Sequence, residues 1–120
     1  MAKFRYRMQN ILNIKEKLEM QAKNEFAAAN MELLEEQERL SVMLRENAAL
    51  QEEGRKLRQK ESLSIRDIAD NSLSVSLMKE KMKRQALAIH RAEQKVEEKR
   101  KAMTDLMQER KTQEVLRDKA

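Results

Sequence analysis

Cysteine, proline and tryptophan are absent from the 120 residues, and glycine occurs once, as Gly54. Without cysteine there is no disulfide and no thiolate metal site, which is compatible with a reducing cytoplasm without demonstrating one. Without proline and with one glycine, the turn residues that a multi-strand sheet or a loop-rich enzyme needs are missing. Aromatic side chains are limited to Phe4, Tyr6 and Phe26, whereas charged residues make up 39% of the chain. Such a composition supplies too few bulky apolar groups to build a compact core from several directions. No apolar run approaches the roughly 18 residues of a membrane span, and the opening Met-Ala-Lys-Phe-Arg has no signal-peptide apolar core. Any membrane association is therefore expected to come through a partner.

What remains is a helical, highly charged chain. The formal charge is +5, with 12 basic and 10 acidic residues over 1–60 and 14 basic and 11 acidic over 61–120. Interspersion of the two signs describes solvated helix faces, and with so few aromatics for base stacking it argues against a nucleic-acid partner. The amino terminus is the exception, because Lys3, Arg5, Arg7 and Lys15 meet no acid until Glu16. In the second half Ile68, Val75, Met82, Ile89, Val96 and Met103 recur every seven residues, and Met78, Ala92 and Leu106 stand three residues after alternate members. That is a coiled-coil seam, narrowed by the polar Gln85, Lys99 and Gln113 in its second column.

The first half repeats the pattern less cleanly, through Met8, Ile11, Leu18, Ala22, Phe26, Ala29, Leu33, Leu40, Met43, Leu50 and Leu57. Its 4,4 spacing across Leu18, Ala22 and Phe26 predicts a stutter. Asn47 and Gly54 also fall on this stripe, where Asn fixes register and Gly costs about 1 kcal/mol against Ala, predicting a softer tip. Acid-before-base pairs at i,i+4 (Glu19–Lys23, Glu35–Arg39, Glu52–Lys56, Glu80–Arg84 and Glu97–Lys101) support helix on the exposed faces. Ser64 with Asp67 three residues on resembles a capping box. The expected organisation is all-α, a long two-helix antiparallel coiled-coil hairpin in one domain: helix one over about 5–58, a turn over about 59–64 and helix two over about 65–118. A weaker alternative breaks the chain at Asp70, Asn71 and Ser72. Arms of about 50 residues are on the order of 75–80 Å long. Because they are nearly equal, one chain folds back on itself as a monomeric hairpin without a second copy; a dimeric structural or adaptor coiled coil is the competing reading.

Catalytic constellations are not found. His90 is the only histidine, best read as a residue flanking the seam rather than a ligand or switch. Adjacent carboxylates such as Glu35–Glu36, Glu52–Glu53 and Glu97–Glu98 diverge by about 100° on a helix and cannot share a proton. No phosphate-cradling glycine loop exists. The expectation is a non-enzyme with no catalytic residues, no metal, no cofactor and no small-molecule substrate. Nine methionines, among them Met43, Met78, Met82 and Met103, read as seam packing before they read as an adaptable binding surface. Leu73, Leu77 and Leu87 lie off the main column and either widen the seam or form a docking patch past the tip.

Residues Phe4 to Leu18, FRYRMQNILNIKEKL, resemble the opening of the FliJ family of flagellar type III export proteins, in which alternating aromatic and basic residues (Phe4, Arg5, Tyr6, Arg7) precede an apolar pair (Ile11, Leu12) and a charged helix (Lys15, Glu16). Val96, Arg100, Met103, Glu109, Arg110, Lys111, Glu114 and Leu116 resemble the family's distal second helix. The chain departs from the family in having Asn71, Ser74 and Val75 where aromatics are usual after the tip. Members usually continue beyond the position of Ala120, so the resemblance leads to the expectation of a shortened chain. It further implies a component shaped like the central stalk of rotary ATPases, cytoplasmic and peripheral to the membrane. In that picture the open end meets the hexameric flagellar export ATPase through Phe4, Arg5, Arg7, Arg110, Lys111 and Arg117, unless those C-terminal cations merely complement a helix dipole. The tip region meets the export gate membrane protein, with Leu73, Leu77 and Met78 as candidates, and export chaperones are possible further partners.

Overall fold

A computed structural model describes residues 2–119, which form two helices, α1 (Ala2–Gln59) and α2 (Ile65–Lys119), joined by a short bend. The bend is set by capping rather than by glycine: no described residue has a left-handed backbone. Ser64 is the N-cap of α2. Its hydroxyl accepts a hydrogen bond from the Asp67 amide at 3.3 Å and its carbonyl accepts from the Ile68 amide at 3.0 Å. Asp67 puts negative charge in the first turn of α2, and Lys56 and Arg58 put positive charge in the last turn of α1, each complementing the local helix dipole. Asp70, Asn71 and Ser72, the alternative break, lie inside α2.

The chain is all-α, an antiparallel coiled-coil hairpin, and its helix pairing divides into two units, one of residues up to Glu32 with those from Ala92 onward, the other Leu33–Arg91. On α1, apart from the half-buried Asn30 and Ser41 that flank it, the row withdrawn from water is Met8, Leu12, Lys15, Glu19, Ala22, Phe26, Ala29, Leu33, Glu36, Leu40, Met43, Asn47, Leu50, Gly54 and Leu57. Their spacing alternates four and three without interruption, so the stutter expected at Leu18 does not exist. The seam instead runs through Lys15 and Glu19, and Ile11 and Leu18 remain 38% and 41% exposed. On α2 the corresponding row runs from Ile68 through Asn71, Val75, Met78, Met82, Gln85, Ile89, Ala92, Val96, Lys99, Met103, Leu106, Arg110 and Gln113 to Arg117. The expected column from Ile68 to Met103 is in the seam, but the more buried column is the second one, which holds Asn71, Met78, Gln85 and Ala92.

Small and hydrogen-bonding residues explain that inversion. In the first unit Ala22, Ala29 and Ala92 are buried, and Leu12 is the only large side chain fully withdrawn from solvent among the described residues. In the second unit Gln85 donates through its amide to the Glu36 carbonyl oxygen at 2.8 Å and to the Glu36 carboxylate at 2.6 Å. Asn71 donates to the Leu50 carbonyl at 2.8 Å. A buried amide with its hydrogen bonds made is tolerated in a seam and fixes register, because a one-heptad slip would leave it unpaired. Gly54 is what lets Asn71 in: a Cβ there would lie 2.3 Å from Asn71 Oδ1. It serves close approach, not softness alone. Asn47 is less well served, since its buried Oδ1 has no hydrogen-bond partner among the described residues.

On the exposed faces the ion pairs form mainly one residue short of the expected spacing. Glu36–Arg39, Glu52–Arg55, Glu80–Lys83 and Glu97–Arg100 pair at i,i+3; Glu19–Lys23 keeps i,i+4, but its carboxylate lies in the seam and not on an exposed face. Such solvated pairs contribute a few tenths of a kcal/mol each. No helix among the described residues is long and apolar enough to cross a membrane.

Candidate functional site

The open end of the hairpin belongs to the first unit, where the antiparallel pairing sets the start of α1 beside the end of α2. Three ion pairs tie the helices together here: Lys15–Glu109 at 2.7 Å, Lys99–Glu25 at 3.1 Å and Lys95–Glu32 at 3.1 Å. A fourth sits in the seam itself. Arg110 holds Glu19 at 2.5 Å and Glu114 at 2.7 Å, and Lys23 holds Glu19 from the other side at 3.2 Å. The Glu19 side chain is only 6% exposed. The hydrogen bond from Arg110 holds its carboxyl below the usual carboxylate range; burial pushes the other way, and Lys23 adds to the depression.

A carboxylate whose folded-state pKa is depressed contributes stability above its unfolded pKa and loses it as pH falls through the folded value. Urea denaturation followed from pH 6 down to pH 3 is therefore expected to show a steeper loss for the native chain than for Glu19→Gln. Parallel curves for the two proteins would mean that Glu19 is not held by Arg110 in solution.

Of the residues expected at an ATPase contact, the structure separates the free from the engaged. Phe4, Arg5, Arg7 and Lys111 are exposed, and none of these three cations makes an ion pair among the described residues. Arg117 is half-buried and donates to Gln9 Oε1 and Asp118 Oδ1, each at 3.2 Å. Arg110 is committed to Glu19 and Glu114, so its role is to position the seam. Sequence reasoning missed Glu19 and Lys15 as seam residues, because charged side chains at such positions look like surface.

The second unit carries the residues considered for the gate. Leu73 and Leu77 are 60% and 57% exposed, but Met78 is 8% exposed and packs in the seam. Leu77 and Met78 nonetheless line one shallow groove with Ala49 and Leu50, rimmed by Glu46, Glu53, Ser74 and Lys81. Leu73 is not among its lining residues. Leu87 is also exposed, at 56%. His90 is exposed, and among the described residues no group of three or more His, Cys, Asp or Glu side chains could hold a metal ion.

These features define a class: an antiparallel coiled-coil hairpin whose distinctive chemistry is on its faces and at its open end. Comparison with known families is more specific. The sequence matches the family described as Flagellar FliJ protein over residues 4–120, and the chain belongs to that family, which gives it a part in flagellar export. No curated protein and no solved structure matches it.

Proposed function

We propose that this chain is a non-enzymatic coupling component of flagellar export, working in the cytoplasm at the inner face of the membrane. The unit that carries the open end binds the hexameric export ATPase, and the unit that carries the turn binds the export gate and, in turn, export chaperones. The observation that carries this reading is the pairing pattern of the open-end cations. Arg5 and Arg7, which flank the exposed Phe4 in sequence, and Lys111 on α2 are exposed and make no ion pair among the described residues, whereas other cations of this unit such as Lys15 and Arg110 are spent on the seam. Unpaired guanidinium groups next to an aromatic ring suit a partner surface of carboxylates and carbonyl oxygens. At the gate-facing unit, Leu77 over the groove of Ala49, Leu50 and Met78 offers an apolar anchor with Leu73 nearby on the same helix.

The experiment is a pull-down of the export ATPase by the full chain. Arg5→Glu with Arg7→Glu is expected to weaken capture at least about tenfold, the scale of losing charge-assisted contacts, while far-UV circular dichroism stays unchanged. Capture at the native level would remove the open end as the ATPase contact.

A further inference from the structure

α1 carries two heptad stripes over its first turns, and α2 covers only one of them. The covered stripe is Met8, Leu12, Lys15, Glu19 and Ala22. The other is Phe4, Ile11, Ile14 and Leu18, which are 48%, 38%, 59% and 41% exposed. Ile11, Ile14 and Leu18 follow the 3,4 spacing of a seam, and Phe4 stands one heptad before Ile11. The helix turns Met8, Leu12 and Ala22 to α2 together with the half-buried Lys15 and the buried Glu19, and it leaves two isoleucines and a leucine on a second apolar face in water. The ion pairs hold it in that orientation, through Lys15–Glu109 and Arg110–Glu19. Spacing of this kind is read by a helix, whose side chains enter the holes between successive turns.

Charge decides what kind of helix. Arg7 is exposed within the stripe, in the same column as Ile14, and Lys3 and Lys17 are exposed along its outer border; Glu16 falls on the opposite side of the helix, about 160° round from Leu18 at 100° per residue. A second copy of this chain laid on the stripe would set these cations against their own counterparts. An amphipathic helix with carboxylates beside its apolar row would neutralise them. The inner border adds apolar surface, because stepping three heptads from the Glu32–Lys95 pair sets Leu116, 48% exposed, opposite Ile11. From Phe4 to Leu18 the stripe is about 21 Å long, or four helical turns.

The geometry points to a docking site for an acidic amphipathic helix along Phe4, Ile11, Ile14 and Leu18, completing a three-helix seam with α1 and α2. The site shares Phe4 and Arg7 with the ATPase contact argued above, whereas Arg5 and Lys111 of that contact lie off the stripe. Its test uses the full chain and two synthetic three-heptad peptides with leucine in the seam positions, one flanked by glutamate and the other by lysine, with binding read by fluorescence anisotropy. The glutamate peptide is expected to bind at least about tenfold more tightly than the lysine peptide, with the difference shrinking as salt is raised. Ile11→Gln, Ile14→Gln and Leu18→Gln together are expected to abolish binding with helicity retained, whereas Arg5→Ala with Lys111→Ala keeps the peptide. Three results overturn the site: equal affinity for the two peptides, native affinity in the glutamine variant, or sedimentation equilibrium showing that the stripe pairs two copies of this chain. Loss of ATPase capture with peptide binding intact would speak only to the other contact.

Discussion

Leu12→Ala is expected to lower stability by about 2–3 kcal/mol, and Leu18→Ala to change it by no more than about 0.5 kcal/mol, in urea denaturation followed by circular dichroism. The two substitutions remove the same atoms from the same helix, and both introduce the best helix former, so propensity cannot separate them. Burial does. Leu12 is 1% exposed, whereas Leu18 is 41% exposed. The loss at Leu12 falls toward the low end of the range for leucine truncation because a two-helix seam closes over a small void more readily than a globular core. A larger loss at Leu18 than at Leu12 would place the seam on Ile11 and Leu18 and would remove the exposed stripe with it.

Gly54→Ala is expected to destabilise the chain by about 1–2 kcal/mol even though alanine gains about 1 kcal/mol in a helix interior. The new Cβ would meet Asn71 Oδ1 at 2.3 Å and Asn71 Cγ at 3.2 Å. The Arg58 guanidinium, 2.8 Å away, can swing into solvent; Asn71, 6% exposed and bonded to the Leu50 carbonyl, has to give up that bond or push the helices apart. The diagnostic is the pair. Gly54→Ala combined with Asn71→Ala removes the clash and keeps the propensity gain against one lost hydrogen bond, so the double variant is expected within about 0.5 kcal/mol of the native chain. Additive losses in the double variant would show that glycine and asparagine do not share a site.

Much of the fold was legible because it depends on periodicity and capping. The column Ile68 to Met103 and the Ser64–Asp67 cap are local patterns, and both appear in the helices as the sequence reads. The path of the α1 seam was not legible at its start. Apolar content favours Ile11 and Leu18 there, and only the partner residues on α2, Glu109 and Arg110, make Lys15 and Glu19 acceptable seam members. Pairing across 91 or 94 positions of sequence is invisible to a pattern that looks seven residues ahead. The same limit applies to Gly54, Asn71 and Gln85. Each reads alone as a weak point, and each acquires a function from the backbone or side chain facing it.

For the candidate contacts, residue type does not show availability. Arg5, Arg7, Arg110 and Lys111 look alike in sequence; the structure frees three of them and spends Arg110 on Glu19 and Glu114. Leu73, Leu77 and Met78 likewise divide, with Met78 drawn into the seam by its heptad position.

The register of α1 against α2 within one chain underlies each of these arguments, and zero-length carbodiimide crosslinking of the unmodified protein reads it directly, since the reagent joins lysines to carboxylates already in contact. Mapped by mass spectrometry in the monomer band, the links are expected at Lys15–Glu109, Lys99–Glu25 and Lys95–Glu32. Links displaced by a heptad, or these same links confined to a dimer band, would contradict it.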